Sequence, residues 1–322
     1  MPDVRFYHFS RSAGQPPAER GDANGLRDTV VTVGNFDGVH LGHQALIRRV
    51  VEDAQLLRAQ SVLITFQPHP QSVLRAHQVP ILSSLPLRLR LFEQLGLDLA
   101  CVIPFTQQFA KTSAERFVQD YLVAQFHVKK LVVGYDFAFG HHREGTAELL
   151  MQISRAHGFG FEVFPAVSLG EETVSSTRIR GLLQAGEFAQ AQRLLGRPYS
   201  VLERVVQGQR RGRELGFPTL NQLPEELLPI PFGVYAVRAH AAEQRLGGVA
   251  NYGIRPTVEG HTALLETHLF DWSGDLYDQL VEVIPLKRLR EERKFASLDA
   301  LKAQIARDSQ AARQYLQDHP QQ

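Results

Sequence analysis

The chain has 322 residues, a formal net charge of +1, 43% hydrophobic and 21% charged residues, and a single cysteine, Cys101. That length predicts two domains. The balanced charge gives no drive toward nucleic acid or an anionic membrane, and one cysteine excludes an internal disulfide or a cysteine-based zinc site.

The N-terminus, "MPDVRFYHFS", lacks the apolar core of a signal peptide, and no apolar run reaches the roughly 18 residues of a membrane span. The expectation is a cytoplasmic protein with no nucleic-acid and no membrane partner. Residues 11–28, rich in Gly, Pro and charge, read as a surface segment. β-Branched runs then follow at Thr29–Val33, Val62–Phe66, Ala100–Phe105, Leu131–Val133 and Phe161–Phe164. Helical patterns alternate with them at Gln44–Arg58, Pro86–Leu95, Thr112–Ala124 and Thr146–His157. The third helix opens with Thr112 and Glu115 at capping-box spacing. Cys101 lies within a buried strand and reads as inert packing. This alternation predicts a doubly wound parallel sheet, whose ligands bind at the carboxyl ends of the strands.

After about residue 186 the pattern changes. A short helix ends at Gly196 and Pro198. Short strands follow at Val201–Val206, Val234–Ala239, Leu246–Ala250, Ala263–Phe270 and Gln279–Ile284. Their spacing predicts a small antiparallel β-barrel. A terminal helix carries Leu298, Leu301 and Ile305 as its apolar stripe. The expected domains are residues 1–186 and 187–322.

The first strand runs into "GNFDGVHLGH", residues 34–43. A helix starting directly after a strand presents unpaired N–H groups and partial positive charge, which suits phosphate. Gly34 and Gly38 allow close backbone approach. His40 and His43, three apart, share one side of the first turn, and Gly42 is expected to leave the space above that turn open. The alternative is a pair of surface histidines at a helix cap.

These residues resemble the His-x-Gly-His signature of nucleotidyltransferases, and specifically the bacterial bifunctional riboflavin kinase/FAD synthetases. "TFQPHP", "VVGYDFAFGHHREG" and "VSSTRIR" follow in order. "GRELGFPTLN", "FGVYAV", "NYGIRPT", "LETHLFDWSGDLYD" and "LREERKFASLDALKAQIARD" match the kinase part. The resemblance implies that residues 1–186 transfer AMP from ATP to FMN, giving FAD and pyrophosphate. It implies that residues 187–322 phosphorylate riboflavin, with Mg²⁺ required. A second reading keeps the adenylyltransferase alone and makes the barrel a flavin-binding module.

In the first domain the resemblance assigns ATP and phosphate contacts to Gly34, Asn35, Phe36, Asp37 and Gly38, with His40 and His43 as catalytic residues. Asp136 goes to the adenosine part, and Ser175, Ser176, Thr177 and Arg180 to the pyrophosphate end. His69 faces the site or holds its own "PHP" segment, and Arg143 is within reach of a phosphate. In the second domain it assigns Gly212 and Gly216 to a phosphate cradle, and Thr219 and Asn221 to Mg²⁺ and ATP. Glu266 is the base for the ribityl hydroxyl, and Arg290 lies near the flavin. Leu220, between the two metal ligands, should point into the barrel. The chain departs from the family pattern at Glu203 and Asp278, where glycines are usual, and at Arg288, where an apolar residue is usual. A monomer is the default oligomeric state.

Overall fold

The computed structural model describes residues 5–8, 18–20, 26, 28–74, 79–141, 144–208, 212, 216–257 and 260–320. His142 and Arg143, and most of residues 11–28, lie outside that set. The chain divides into two compact units, Met1–Val79 with Leu87–Ser175, and Pro80–Pro86 with Ser176–Gln322. The division falls ahead of residue 186 and gives the short 80–86 segment to the second unit.

The first unit is built on one seven-stranded sheet. Its strands are β1 (Arg5–His8), β2 (Ala18–Arg20), β3 (Thr29–Val33), β4 (Gln60–Gln67), β5 (Leu99–Pro104), β6 (Val128–Gly134) and β7 (Gly160–Phe164). The order is β2-β1-β5-β4-β3-β6-β7. β3 to β7 pair in parallel, and β1 and β2 add an antiparallel edge. Part of the expected surface segment is therefore strand: Ala18–Arg20 pairs with Phe6–His8. β3 is buried along its whole length, as are Ser61–Thr65 and Leu99–Ile103. Such uninterrupted burial is what a sheet covered on both faces demands.

The helices of this unit are α1 (Leu41–Leu57), α2 (Pro70–Leu74), α3 (Leu85–Gln94), α4 (Ala114–Phe117) and α5 (Ala147–His157). α3 straddles the division between the units at Pro86/Leu87. The helix expected over 112–124 differs in two ways. Its cap is Ser113, whose hydroxyl accepts from the Arg116 N–H, and Thr112 instead ends a 3₁₀ turn. Beyond Phe117 the chain winds as a π-helical turn, Val118–Val123. Thr112 and Ser113 are both capping residue types, so spacing to Glu115 misassigned the register by one. The sheet changes winding direction at β3, whose neighbours are β4 on one side and β6 on the other. Ligands of doubly wound sheets bind at that switch point.

A two-stranded hairpin, β8 (Ser168–Leu169) and β9 (Glu172–Thr173), closes the first unit. The second unit begins with α6 (Ser176–Gln184) and α7 (Phe188–Leu195). Then come β10 (Val201–Val206), β11 (Leu220–Gln222), β12 (Gly233–Ala241), β13 (Gln244–Thr257), β14 (Gly260–Leu269) and β15 (Leu280–Arg290). They close a barrel in the order β10-β11-β14-β13-β12-β15. The three-residue β11 had no periodic signature and escaped the sequence reading.

The terminal helix α8 (Leu298–Asp318) packs Ala312 and Leu316 on Val234, Ala236, Val249 and Phe270. Of the expected stripe, Leu301 and Ile305 lie half-buried on the same face as the buried Asp308 and Ala312, while Leu298, the first helical residue, is 69% exposed. That face is anchored by an ion pair: Asp308 meets Arg290 of β15 in a bidentate pair at 2.8–3.1 Å. Gln304 follows it, donating to Asp308.

Candidate active sites

In the first unit, β3 delivers the chain to a turn held by unusual backbone. Gly38 has φ +86°, but Phe36 (+49°) and Val39 (+40°) also lie in the left-handed region. A β-branched residue there is strained, and such strain persists only where surrounding contacts over-determine it. Gly34 N–H donates to the Ile64 carbonyl, and Val39 N–H to Phe36. Phe36 and Val39 are fully buried.

His40 is the N-cap of α1, and its Nδ1 accepts from the His43 N–H at 3.3 Å. That contact places the proton of a neutral His40 on Nε2. The two rings stack, with centroids 3.7 Å apart and planes at 16°. Burial, then the neighbouring His40, holds the His43 pKa well below its ordinary 6.5. His43 is therefore neutral near pH 7, and its buried Nδ1 has no hydrogen-bond partner among the described residues. Gly42 leaves no open space, contrary to expectation. A Cβ there would stand 3.2 Å from the His40 ring, so the stacked imidazole occupies the room the glycine provides. The same Cβ would approach Val167, at the start of the hairpin that ends before Ser175.

Asp136 stands in the turn after β6, the strand next to β3, and is exposed. The switch point is thus flanked by residues 34–38 on one strand and by 134–136 on its neighbour. His69 is buried, and its Nδ1 accepts from Gln71 N–H at the start of α2, a structural engagement of that ring nitrogen. Half-buried aromatic rings gather after β4, β5 and β6. Phe66, Phe105 and Phe109 lie 5.6–5.9 Å apart between centroids, and Phe137 stacks on Phe139 at 5.2 Å. Phe66, Phe109, Phe137 and Phe139 also pack against the buried core of the sheet.

Arg88 was also missed. It is 4% exposed, and its guanidinium donates to the Asn35 carbonyl beneath the turn at 3.1 Å. The available signal was an arginine one helical turn from Phe92, on the face of α3 that goes inward.

In the second unit, register assembles the site. Asn221 of β11 lies directly opposite Glu266 of β14, and Glu266 directly opposite Asn251 of β13. These three form one rung. Leu220 pairs with Thr267 on the other side of the sheet, where Thr267, Gln222 and Leu265 are buried inside the barrel. Leu220 thus faces the barrel interior, and the rung faces outward. Glycines allow loops to cover it. A Cβ on Gly208 would come within 2.4 Å of the Asn221 amide, and one on Gly212 within 2.5 Å of the Phe217 carbonyl and 3.1 Å of the Thr219 hydroxyl. Gly216, at φ +85°, completes the turn before Thr219. On the far side, Glu292 accepts from the Asn251 amide, and its carboxylate lies over Gly253. A cavity of about 450 Å³ is lined by Thr219, Leu220, Val205, Trp272 and Tyr277 among others.

Ser175 ends the first unit, while Ser176, Thr177 and Arg180 open the second on α6. Arg180 Nε donates to the Pro80 carbonyl at 2.8 Å. Arg290 is committed to Asp308, so in this conformation its guanidinium braces α8 against β15.

A FAD synthetase family model matches residues 22–178, and a riboflavin kinase model matches residues 195–316. The chain belongs to the bifunctional riboflavin kinase/FMN adenylyltransferase family. It is 40% identical to the Escherichia coli K12 bifunctional riboflavin kinase/FMN adenylyltransferase over 289 residues, 89% of this chain and 92% of that one. The Pseudomonas fluorescens bifunctional riboflavin kinase/FMN adenylyltransferase is 42% identical over 289 residues, 89% and 93% of the two chains. Among solved structures, a macrolide-efflux protein from Streptococcus pneumoniae superposes with TM-score 0.71 at 31% identity, over 91% of this chain and 97% of that one. Among the described residues, no helix is long and apolar enough to cross a membrane.

The departures from the family pattern now have structural contexts. Asp278 adopts φ +62°, the left-handed conformation for which glycine is usual and which aspartate tolerates. Burial, helped by Glu225, pushes the Glu203 carboxyl up to about 7. Arg288 donates to the Phe232 carbonyl, while its buried Nε has no partner among the described residues.

Proposed function

We propose that the two constellations act as separate catalytic sites, FMN adenylylation in residues 1–186 and riboflavin phosphorylation in residues 187–322. The observation that carries this reading is the Asn221–Glu266–Asn251 rung. It sets a carboxylate beside a hard-oxygen amide under a glycine-lined cover, which a barrel serving only to bind flavin does not need.

In the kinase, Glu266 accepts the proton of the ribityl 5′-hydroxyl as that oxygen forms a bond to the γ-phosphorus of ATP and ADP leaves. Thr219 and Asn221 are the residues that hold Mg²⁺. The fit rests on their oxygens and on the Gly208 and Gly212 cradle, which any Cβ would fill. No group of three His, Cys, Asp or Glu suited to a metal occurs among the described residues. Few protein ligands plus substrate phosphates is the usual arrangement for this ion. When bound, Mg²⁺ neutralises charge on the transferring phosphates. The cavity beside Thr219 is sized for the nucleoside end of ATP, and Arg290 holds the flavin side by bracing the edge of β15.

In the adenylyltransferase, a phosphate oxygen of FMN attacks the α-phosphorus of ATP, and the bond to the β-phosphate breaks to release pyrophosphate. The nucleophile is already an anion, so donors and positioning carry the reaction. His40 and the neutral His43 act as donors at the positive end of α1, and the turn Gly34, Asn35, Phe36, Asp37 and Gly38 surrounds the triphosphate. Asp136 accepts from the adenosine hydroxyls. Ser175, Ser176, Thr177 and Arg180 receive the pyrophosphate. The half-buried rings Phe66, Phe105 and Phe109 form the apolar seat for the flavin. We assign the protein to the cytoplasm as a monomer that uses ATP, riboflavin and FMN.

The test is chromatography of products after incubation with riboflavin, ATP and Mg²⁺. FMN followed by FAD supports both sites. FAD formed only from added FMN would reduce the barrel to a binding module.

A further inference from the structure

The turn that delivers His40 and His43 carries strain at Phe36 and Val39, and something must hold it. Two side chains converge on its Asn35 carbonyl. Arg88 donates to that oxygen at 3.1 Å, and the Thr65 hydroxyl donates to it at 3.1 Å. The same Arg88 nitrogen also donates to Thr65 Oγ1 at 3.1 Å, so the three groups close on one another. Arg88 further reaches the Phe66 carbonyl at 3.4 Å and Gln67 Oε1 at 2.5 Å. One guanidinium thus ties the turn after β3 to the carboxyl end of β4. Both Arg88 and Thr65 are buried, where charge-assisted bonds are strong and an unsatisfied guanidinium is costly.

We propose that Arg88 is a positioning residue for adenylyl transfer: by fixing the Asn35 carbonyl it holds the strained turn in the shape that sets His40 and His43 at the start of α1. The inference rests on the reading above that this turn receives the triphosphate. Arg88 lies under the turn and touches no reacting atom. Its planar fork spans several oxygens at once, which a lysine ammonium cannot reproduce. A residue that only filled space here would influence melting temperature and leave the rate per folded molecule alone.

The experiment uses the full chain and measures two rates on each preparation: FAD from FMN and ATP, and FMN from riboflavin and ATP. The variants are Arg88→Met, Arg88→Lys and Thr65→Val, with His43→Ala as reference. Misplaced catalytic geometry is expected to lower kcat/KM for ATP in FAD formation by about 10²-fold in Arg88→Met. Thr65→Val, which keeps shape and loses the two hydrogen bonds of the hydroxyl, should lose about threefold to tenfold. Arg88→Lys should fall between them, and FMN formation should stay at the wild-type rate in all three. Arg88→Met and Thr65→Val should combine less than additively, because both release the same carbonyl. If Arg88→Met fails to fold, the other two decide. Wild-type kcat/KM for FAD formation in both, with only a lowered melting temperature, overturns the proposal. An active His43→Ala would instead overturn the reading of the turn itself. Loss of FAD formation in His43→Ala, but not in the Arg88 and Thr65 variants, removes the positioning role alone.

Discussion

The two sites are built on opposite principles. In the first unit the turn and both histidines come from one contiguous stretch, residues 34–43, and local backbone brings them together. In the second, Thr219, Asn221, Asn251 and Glu266 meet only through strand register, across loops that themselves depend on glycines. The contiguous site is sensitive to its own turn and to Arg88 and Thr65, which hold that turn's Asn35 carbonyl. A register-built site is sensitive wherever loops close over it.

The sharpest way to break this comparison is to silence one site and watch the other. Glu266→Gln should reduce riboflavin phosphorylation by about 10²–10⁴, the usual contribution of a positioned base, while added FMN is still adenylylated. Unchanged kinase turnover would remove Glu266 from the mechanism. The reciprocal variant, His43→Ala, should cut FAD formation by about 10²–10³, as loss of one preorganised donor does, and leave FMN accumulating. A parallel fall in both rates would mean that the sites are not separate.

A smaller effect probes the outward rung. Asn221→Ala should raise the Mg²⁺ concentration for half-maximal kinase activity by about tenfold, within the range seen when support of a metal is lost. Activity titrated against Mg²⁺ at saturating riboflavin checks this. An unshifted midpoint with a lowered melting temperature would leave Asn221 a purely structural residue. Gly212→Ala tests the cover: its Cβ would meet the Phe217 carbonyl at 2.5 Å, so backbone must move. The expected price is about 1–3 kcal/mol of stability, with weakened kinase and intact FAD synthesis from FMN.

The smallest effect lies in the barrel wall. Glu203 titrates at about 7 when folded against an ordinary 4.5. The folded state therefore holds this proton more tightly than the unfolded chain, and stability declines as pH rises from 4.5 to 7. Above pH 7 the penalty is complete. Glu203→Gln should gain on the order of 1 kcal/mol at pH 8, after allowance for partial solvent exposure, and nothing at pH 4. Melting curves at the two pH values would show equal gains if charge burial were not the cause.

The sequence by itself determined the architecture and the order of residues in the first candidate site. β-Branched runs alternating with helical periods point to a parallel sheet covered by helices on both faces. The "GNFDGVHLGH" stretch places the turn and both histidines next to one another along the chain, while Arg88 and Thr65 reach the turn from distant segments. Tertiary structure alone decided the rest. Arg88 became visible only when α3 was laid under the turn, and the Thr112/Ser113 ambiguity was settled by which hydroxyl reached the Arg116 N–H. The face of α8 that carries Leu301 and Ile305 also carries Asp308, and its ion pair with Arg290 is a contact that only the fold brings about. Glu266 reads in sequence as an ordinary outward strand residue. It gains Asn221 and Asn251 as neighbours through strand pairing, a long-range relation that no local spacing encodes.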